Sequence, residues 1–158
     1  MFILQEQYYW QIKNYPAKKI ATTSGLIMPT LFVIEPHAGM RNSILWWLSH
    51  TSPQYKAIGC NTITEALSIL PENSADGFLI SVDHSVARHL PEIKKLRTEY
   101  PDAHIILLTT FDDVDSHTQN TKIGITAQIS KQKIHHELGA LLQNMLLEKS
   151  SYINPNTE

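Results

Sequence analysis

The sequence predicts an α/β protein: an open, doubly wound sheet of five parallel strands in the order 2-1-3-4-5, with helices on both faces. Two observations predict it. From residue 31 onward, short apolar runs alternate five times with segments of helical pattern. The runs are apolar throughout rather than at every second residue. Strands covered on both faces read that way, and parallel pairing with crossover helices covers both faces.

The first run is LFVI (31–34). The helical segment after it carries Ile44, Leu45, Trp47 and Leu48 and stops near Pro53. Trp46 and Trp47 lie about 100° apart on a helix, so they cannot both face the core. YKAIGC (55–60) is the second strand. Thr62 and Glu65 then stand at capping-box spacing, where each side chain can satisfy an orphan backbone amide. The helix they open carries Ala66, Leu67 and Leu70 and ends near Pro71. GFLISV (77–82) is the third strand. Pro91 suits the first turn of the next helix, with Ile93, Leu96 and Tyr100 on one face. HIILLT (104–109) is the fourth strand. The polar segment 112–122 is the fourth helix, with Asp112 and Asp113 as its caps. ITAQIS (125–130) is the fifth strand, and the last helix sets Ile134, Leu138, Leu141, Leu142 and Met145 on one side. In such sheets function collects beyond the carboxyl ends of the strands, here residues 35–39, 81–85, 109–113 and 130–131.

Composition narrows the function. The 158 residues are 42% hydrophobic and 18% charged, which suits one globular domain with a terminal extension. A net charge of −2 favours neither nucleic acid nor an anionic membrane as a bulk partner. No apolar run is long enough to span a bilayer, and the N-terminus lacks the basic flank of a signal peptide. Cys60 is a lone cysteine, so no internal disulfide forms; a reducing cytoplasm and a buried structural thiol are the expectation. Residues 1–30 stand outside the βα repeat and are read as an N-terminal arm, 31–148 as the domain, and 149–158 as a tail or linker. There is no glycine-rich phosphate loop and no hydrolase motif. The eight histidines include the adjacent His135 and His136, which cannot share a helix face, and His84 and His89, which lack ligand spacing. No metal site and no cofactor are expected.

The order of segments resembles a receiver domain of bacterial two-component signalling, of the NarL/FixJ type, on a CheY-like, flavodoxin-like fold. The resemblance covers about residues 30–148. LFVIEPH sits where receivers have a strand ending in two acids, ADGFLISVDHS where the phosphorylated Asp is delivered, HIILLTTFDD where a strand ends in a hydroxyl residue, and GITAQISK where one ends in a Lys. YINPN resembles the linker to a helix-turn-helix, the one route by which such a protein would meet DNA; no such domain follows in this chain. Glu35-x-His37-x-Gly39 distantly resembles the post-strand motif of cobalamin-binding domains, but with Glu for Asp and the wrong glycine spacing.

Carried over residue by residue, the resemblance implies a degenerate phosphorylation pocket. The two acids become Glu35 and Pro36. The phosphoacceptor position falls on Ser81, because local lengths fit that register without gaps. Thr109 keeps the hydroxyl and Lys131 the ammonium, while the aromatic switch becomes Gln128. Asp83 is expected as a loop residue or helix cap; in the alternative reading it turns inward and replaces the missing acid. Phosphoryl transfer needs an anionic nucleophile and a Mg²⁺ held by carboxylates, and neither Pro36 nor Ser81 supplies a charge. The expectation is therefore a non-enzymatic pseudo-receiver that acts in signalling or transcription through a protein partner or a homodimer, using the region 112–145. The alternatives are a phosphorylatable receiver using Asp83 with Mg²⁺ and, with no motif behind it, a small-molecule-binding domain. If no phosphate arrives, Lys131 needs another anion. Glu35 is the candidate, with Ser81 or Thr109 beside it; otherwise Lys131 points to water.

Overall fold

A computed structural model describes residues 28–69, 75–110 and 122–153. The chain order is β1 (Thr30–Ile34), α1 (Ala38–Thr51), β2 (Lys56–Cys60), α2 (Ile63–Ile69), β3 (Gly77–Val82), α3 (Leu90–Glu99), β4 (His104–Thr109), β5 (Ala127–Ser130) and α4 (Ile134–Ile153). Single 3₁₀ turns at Val86–His89 and Lys131–Lys133 lead into α3 and α4. All five strands are parallel, in the order β2-β1-β3-β4-β5. The expected arm, the segment 112–121 of the expected fourth helix with Asp112 and Asp113, and Leu70 and Pro71 lie outside the described residues.

Strand side chains alternate between two cores, as the period of two requires. Phe32, Phe78, Ile80, Ile105 and Leu107 face α2 and α3, which contribute Ile63, Ala66, Ile93 and Leu96. Leu31, Val33, Leu79, Ile106 and Leu108 face α1 and α4, which contribute Ile44, Trp47, Leu48, Ile134, Leu138 and Leu142. Removing each Val, Leu, Ile or Phe side chain among these from water is worth about 1.5–3 kcal/mol. Phe32 stacks on Phe78 at 5.8 Å, and Tyr100 meets Phe78 edge-on at 5.7 Å. At Gly77 a Cβ would come within 2.8 Å of Leu31 Cδ2, so that side chain would have to shift to admit one. Of the two tryptophans, Trp47 is 4% exposed and Trp46 57%, the division that their angular separation requires.

Three local expectations shift. β2 begins at Lys56 rather than Tyr55, whose buried hydroxyl instead donates to the Leu142 carbonyl at 2.7 Å. β5 begins at Ala127 rather than Ile125, because Thr126 is occupied before the ladder starts: its amide and its Oγ1 both bond Ile105. At the start of α2 the Glu65 amide donates to Thr62 Oγ1, as a capping box requires, but Glu65 Oε2 accepts from the amide of Asn61, one residue early. Helix α4 continues to Ile153, into the segment read as tail. After α3, the Arg97 guanidinium donates to the carbonyls of Pro101, Ala103 and Gly124, which ties the end of that helix to the turn before β5. Gly124 has a φ of 79°, a conformation that suits glycine.

Candidate functional site at the carboxyl ends of the strands

The register brings the site together. β1 pairs with β3 through Ile34 and Ile80, so the next residues, Glu35 and Ser81, are neighbours. β3 pairs with β4 through Val82 and Thr109, and β4 with β5 through Thr109 and Ser130, which leaves Lys131 at the following position. Glu35 stays in line with the sheet through its amide, which donates to the Cys60 carbonyl at 3.1 Å. Its side chain is fully buried.

Both oxygens of that carboxylate are engaged. Oε1 accepts from the amide of His37 at 2.9 Å and lies 3.0 Å from His37 Nδ1. Oε2 accepts from the Ser81 hydroxyl at 2.5 Å and from Lys131 Nζ at 2.9 Å. A carboxylate has about four lone-pair positions; the His37 amide, Ser81 and Lys131 fill three, and His37 Nδ1 fills the fourth when that nitrogen carries its proton. Burial pushes the Glu35 carboxyl up, but the bonds from Ser81, Lys131 and the His37 amide, with the charge of Lys131, outweigh it and hold the group at about 2, below the usual 4.5.

Asp83 departs from the first expectation. It does not merely fill the loop or cap a helix: its Oδ1 accepts from Lys131 Nζ at 2.7 Å. The Thr110 hydroxyl donates to the Asp83 carbonyl at 2.8 Å, fixing the backbone so that the side chain turns inward. Lys131 therefore bridges two carboxylates, with its own side chain 11% exposed and that of Asp83 29% exposed. Burial alone would lower its pKa, but the bonds and charges of Asp83 and Glu35 raise it above 10.5.

Thr109 is buried at the end of β4, beside this cluster in register. Pro36 is exposed, and the Arg41 guanidinium bonds the carbonyls of Glu35 and Pro36 at 2.6 and 3.4 Å. Gln128 is half-buried on β5 opposite Leu107. Sequence reasoning gave no role here to Arg41 or Thr110. Arg41 is one turn into α1, a spacing that carries no motif. Thr110 is the second of two consecutive threonines, and only the strand end at Thr109 separates their roles.

The resemblance implies a Mg²⁺ at this place in an active relative. These residues do not fit one as they stand. Glu35 already accepts three hydrogen bonds and faces His37 Nδ1, Asp83 is held by an ammonium, and Pro36 has no side-chain donor; Mg²⁺ prefers six oxygens with one or two carboxylates among them. Among the described residues no group of three or more His, Cys, Asp or Glu side chains could hold a metal ion.

No family model matches the sequence, and no curated protein does. Solved structures do match. A response regulator from Thermotoga maritima superposes with a TM-score of 0.65 at 19% identity, covering 75% of this chain and 98% of that one. A CheY-like receiver domain protein from Methanospirillum hungatei JF-1 gives 0.67 at 14% identity, covering 80% and 99%. The Salmonella typhimurium RcsB response regulator, in a structure concerned with DNA interaction, gives 0.65 at 17%, covering 79% and 62%. The chain has the receiver fold.

On the receiver fold, Glu35, Ser81, Asp83, Thr109 and Lys131 all sit at the carboxyl ends of the strands, where the sheet order and crossovers place a site. Cys60, at the end of β2, is 1% exposed. Burial and the nearby Glu65 charge, opposed by Arg41, push its thiol up to about 11. No described helix is long and apolar enough to cross a membrane.

Proposed function

We propose that this chain is a pseudo-receiver of a response regulator, a signalling domain that performs no chemistry and works by phosphorylation-independent contact. One observation carries the reading: Lys131 fills the pocket by bridging Glu35 and Asp83, while Ser81 donates to Glu35. The charge that a divalent ion would supply comes from the protein itself. An incoming phosphoryl group would have to break this pairing without a metal to offset its charge. The output is contact with a protein partner or a second copy in the cytoplasm, through the region 112–145, of which residues 122–145 are described. If a helix-turn-helix belongs to the native protein, that contact regulates transcription, a reading favoured by the likeness to the RcsB structure.

The second reading, a phosphorylatable receiver using Asp83, has one observation behind it: the carboxylate points into the pocket and is partly exposed. Incubation with acetyl phosphate and Mg²⁺, followed by intact mass, separates the two. The expected result is no gain in mass. A gain of one phosphoryl group that disappears in Asp83→Asn would replace the first reading with the second.

A further inference from the structure

The two helix layers present different surfaces. On the α2/α3 side, α3 exposes Lys94, Lys95, Thr98 and Glu99, the charged face of an ordinary solvated helix. On the α1/α4 side, α1 beyond its first turn exposes Asn42, Ser43, Trp46, Ser49 and His50. The outer stripe of α4, at i, i+3, i+4 and i+7, is Ala140, Gln143, Asn144 and Leu147. None of these nine residues is Asp, Glu, Lys or Arg. Trp46 is 57% and Leu147 67% exposed, two of the three large apolar side chains exposed among the described residues. Loss of charge together with an exposed aromatic is the composition of an interface core. Between the two helices lies a cleft of about 610 Å³, lined by Asn42, Ser43, Trp46, Trp47 and His135. Trp47 and His135 meet edge-on at its base, with ring centroids 5.7 Å apart.

We propose that the α1/α4 layer is the face on which two copies of this chain associate about a two-fold axis. A two-fold contact sets a patch against itself, so formal charges near the axis meet charges of the same sign. The nine exposed positions of this layer avoid that conflict, although each chain carries a net charge of −2. Knob and groove also share one surface, because Trp46 projects from α1 and lines the cleft beside it. One two-fold operation therefore seats each Trp46 at the cleft of the other copy, the self-complementarity that such a contact requires. The inference takes the second copy from the proposed function and adds its surface, of which the region 112–145 contains only part. It does not depend on whether Asp83 accepts a phosphoryl group, which intact mass reads separately.

Sedimentation velocity of the full chain across a concentration series, without phosphodonor, tests it. The expected result is a shift from one chain mass to two. Trp46→Glu should raise the dimer dissociation constant by at least about 30-fold, the weakening typical of a central interface aromatic. Leu147→Glu should raise it by at least about 5-fold. Lys94→Glu, on the exposed face of α3, should leave it unchanged. Circular dichroism checks that each variant is folded; Trp46→Ala, which only truncates an exposed side chain, should weaken association in the same direction if the charged variant does not fold. One chain mass at every concentration into the millimolar range overturns the proposal. So does a dimer that Trp46→Ala and Trp46→Glu leave intact, or one that Lys94→Glu weakens as much; the copies then meet through another face, and the pseudo-receiver reading stands.

Discussion

Lys131 Nζ lies 2.9 Å from Oε2 of Glu35, a contact between residues 96 apart in sequence and at the ends of two strands that do not pair with each other. It joins the two sides of the pocket across β3 and β4. Both partners are largely withdrawn from water, so the cost of separating them is not that of a surface ion pair.

Removing Lys131 should therefore be expensive. Lys131→Ala leaves Glu35 charged and fully buried, and should cost about 3–5 kcal/mol of unfolding free energy. Glu35→Ala should cost less, about 1–3 kcal/mol, because Asp83 still pairs the ammonium. Chemical denaturation of both singles and the double gives a coupling expected at about 1–3 kcal/mol. Coupling indistinguishable from zero would reject the bridge as an energetic unit.

The same group sets an acid limit. Glu35 is held at about 2 in the fold against 4.5 as its ordinary value. A depressed carboxyl contributes stability that is complete above 4.5 and is lost as pH falls toward 2; the shift corresponds to about 3 kcal/mol. Lys131 acts in the opposite direction, since its raised pKa contributes stability below 10.5 that is lost as pH rises through the folded value. Unfolding free energy against pH should fall on the acid side for the unaltered chain and fall less for Glu35→Gln. An identical acid limb in the two proteins contradicts the assignment.

Restoring one acid should not restore phosphorylation. Ser81→Asp places a second carboxylate where a hydroxyl now sits 2.5 Å from Glu35, and like charges at that distance raise the pKa of one of them. Pro36→Asp together with Ser81→Asp adds a ligand that can recruit Mg²⁺ and relieve the repulsion. Phosphoryl incorporation from acetyl phosphate should be greater in the double variant. Equal incorporation by single and double variants shows that position 36 is irrelevant to metal binding.

The two tryptophans should separate stability from surface. Trp47→Ala empties the core between α1 and α4 and should cost about 3–5 kcal/mol. Trp46 is 57% exposed and, among the described residues, stacks on His50 at 4.2 Å, so Trp46→Ala should change stability by less than about 0.5 kcal/mol. Thermal or chemical denaturation reads both, and a large cost at Trp46 would mean that it is covered in solution.

Sequence alone determined the sheet. Apolar runs such as LFVI and HIILLT read as strands because they are short and apolar throughout, and their alternation with helices implies parallel pairing; the order 2-1-3-4-5 is one expected arrangement of such a sheet, and it is the order found. It also placed Glu35, Ser81, Thr109 and Lys131 at one end, because strand ends are countable in the chain. What it could not supply was side-chain direction in the loops. Asp83 lies one residue beyond β3, where the period of two no longer governs, and its inward turn depends on Thr110, 27 residues away. His37 and Arg41 likewise meet Glu35 only because the chain bends between β1 and α1. Strand position follows from hydrophobic pattern, a local property. Loop orientation follows from which distant donors and acceptors the completed sheet brings within hydrogen-bond reach, and only the tertiary structure decides that.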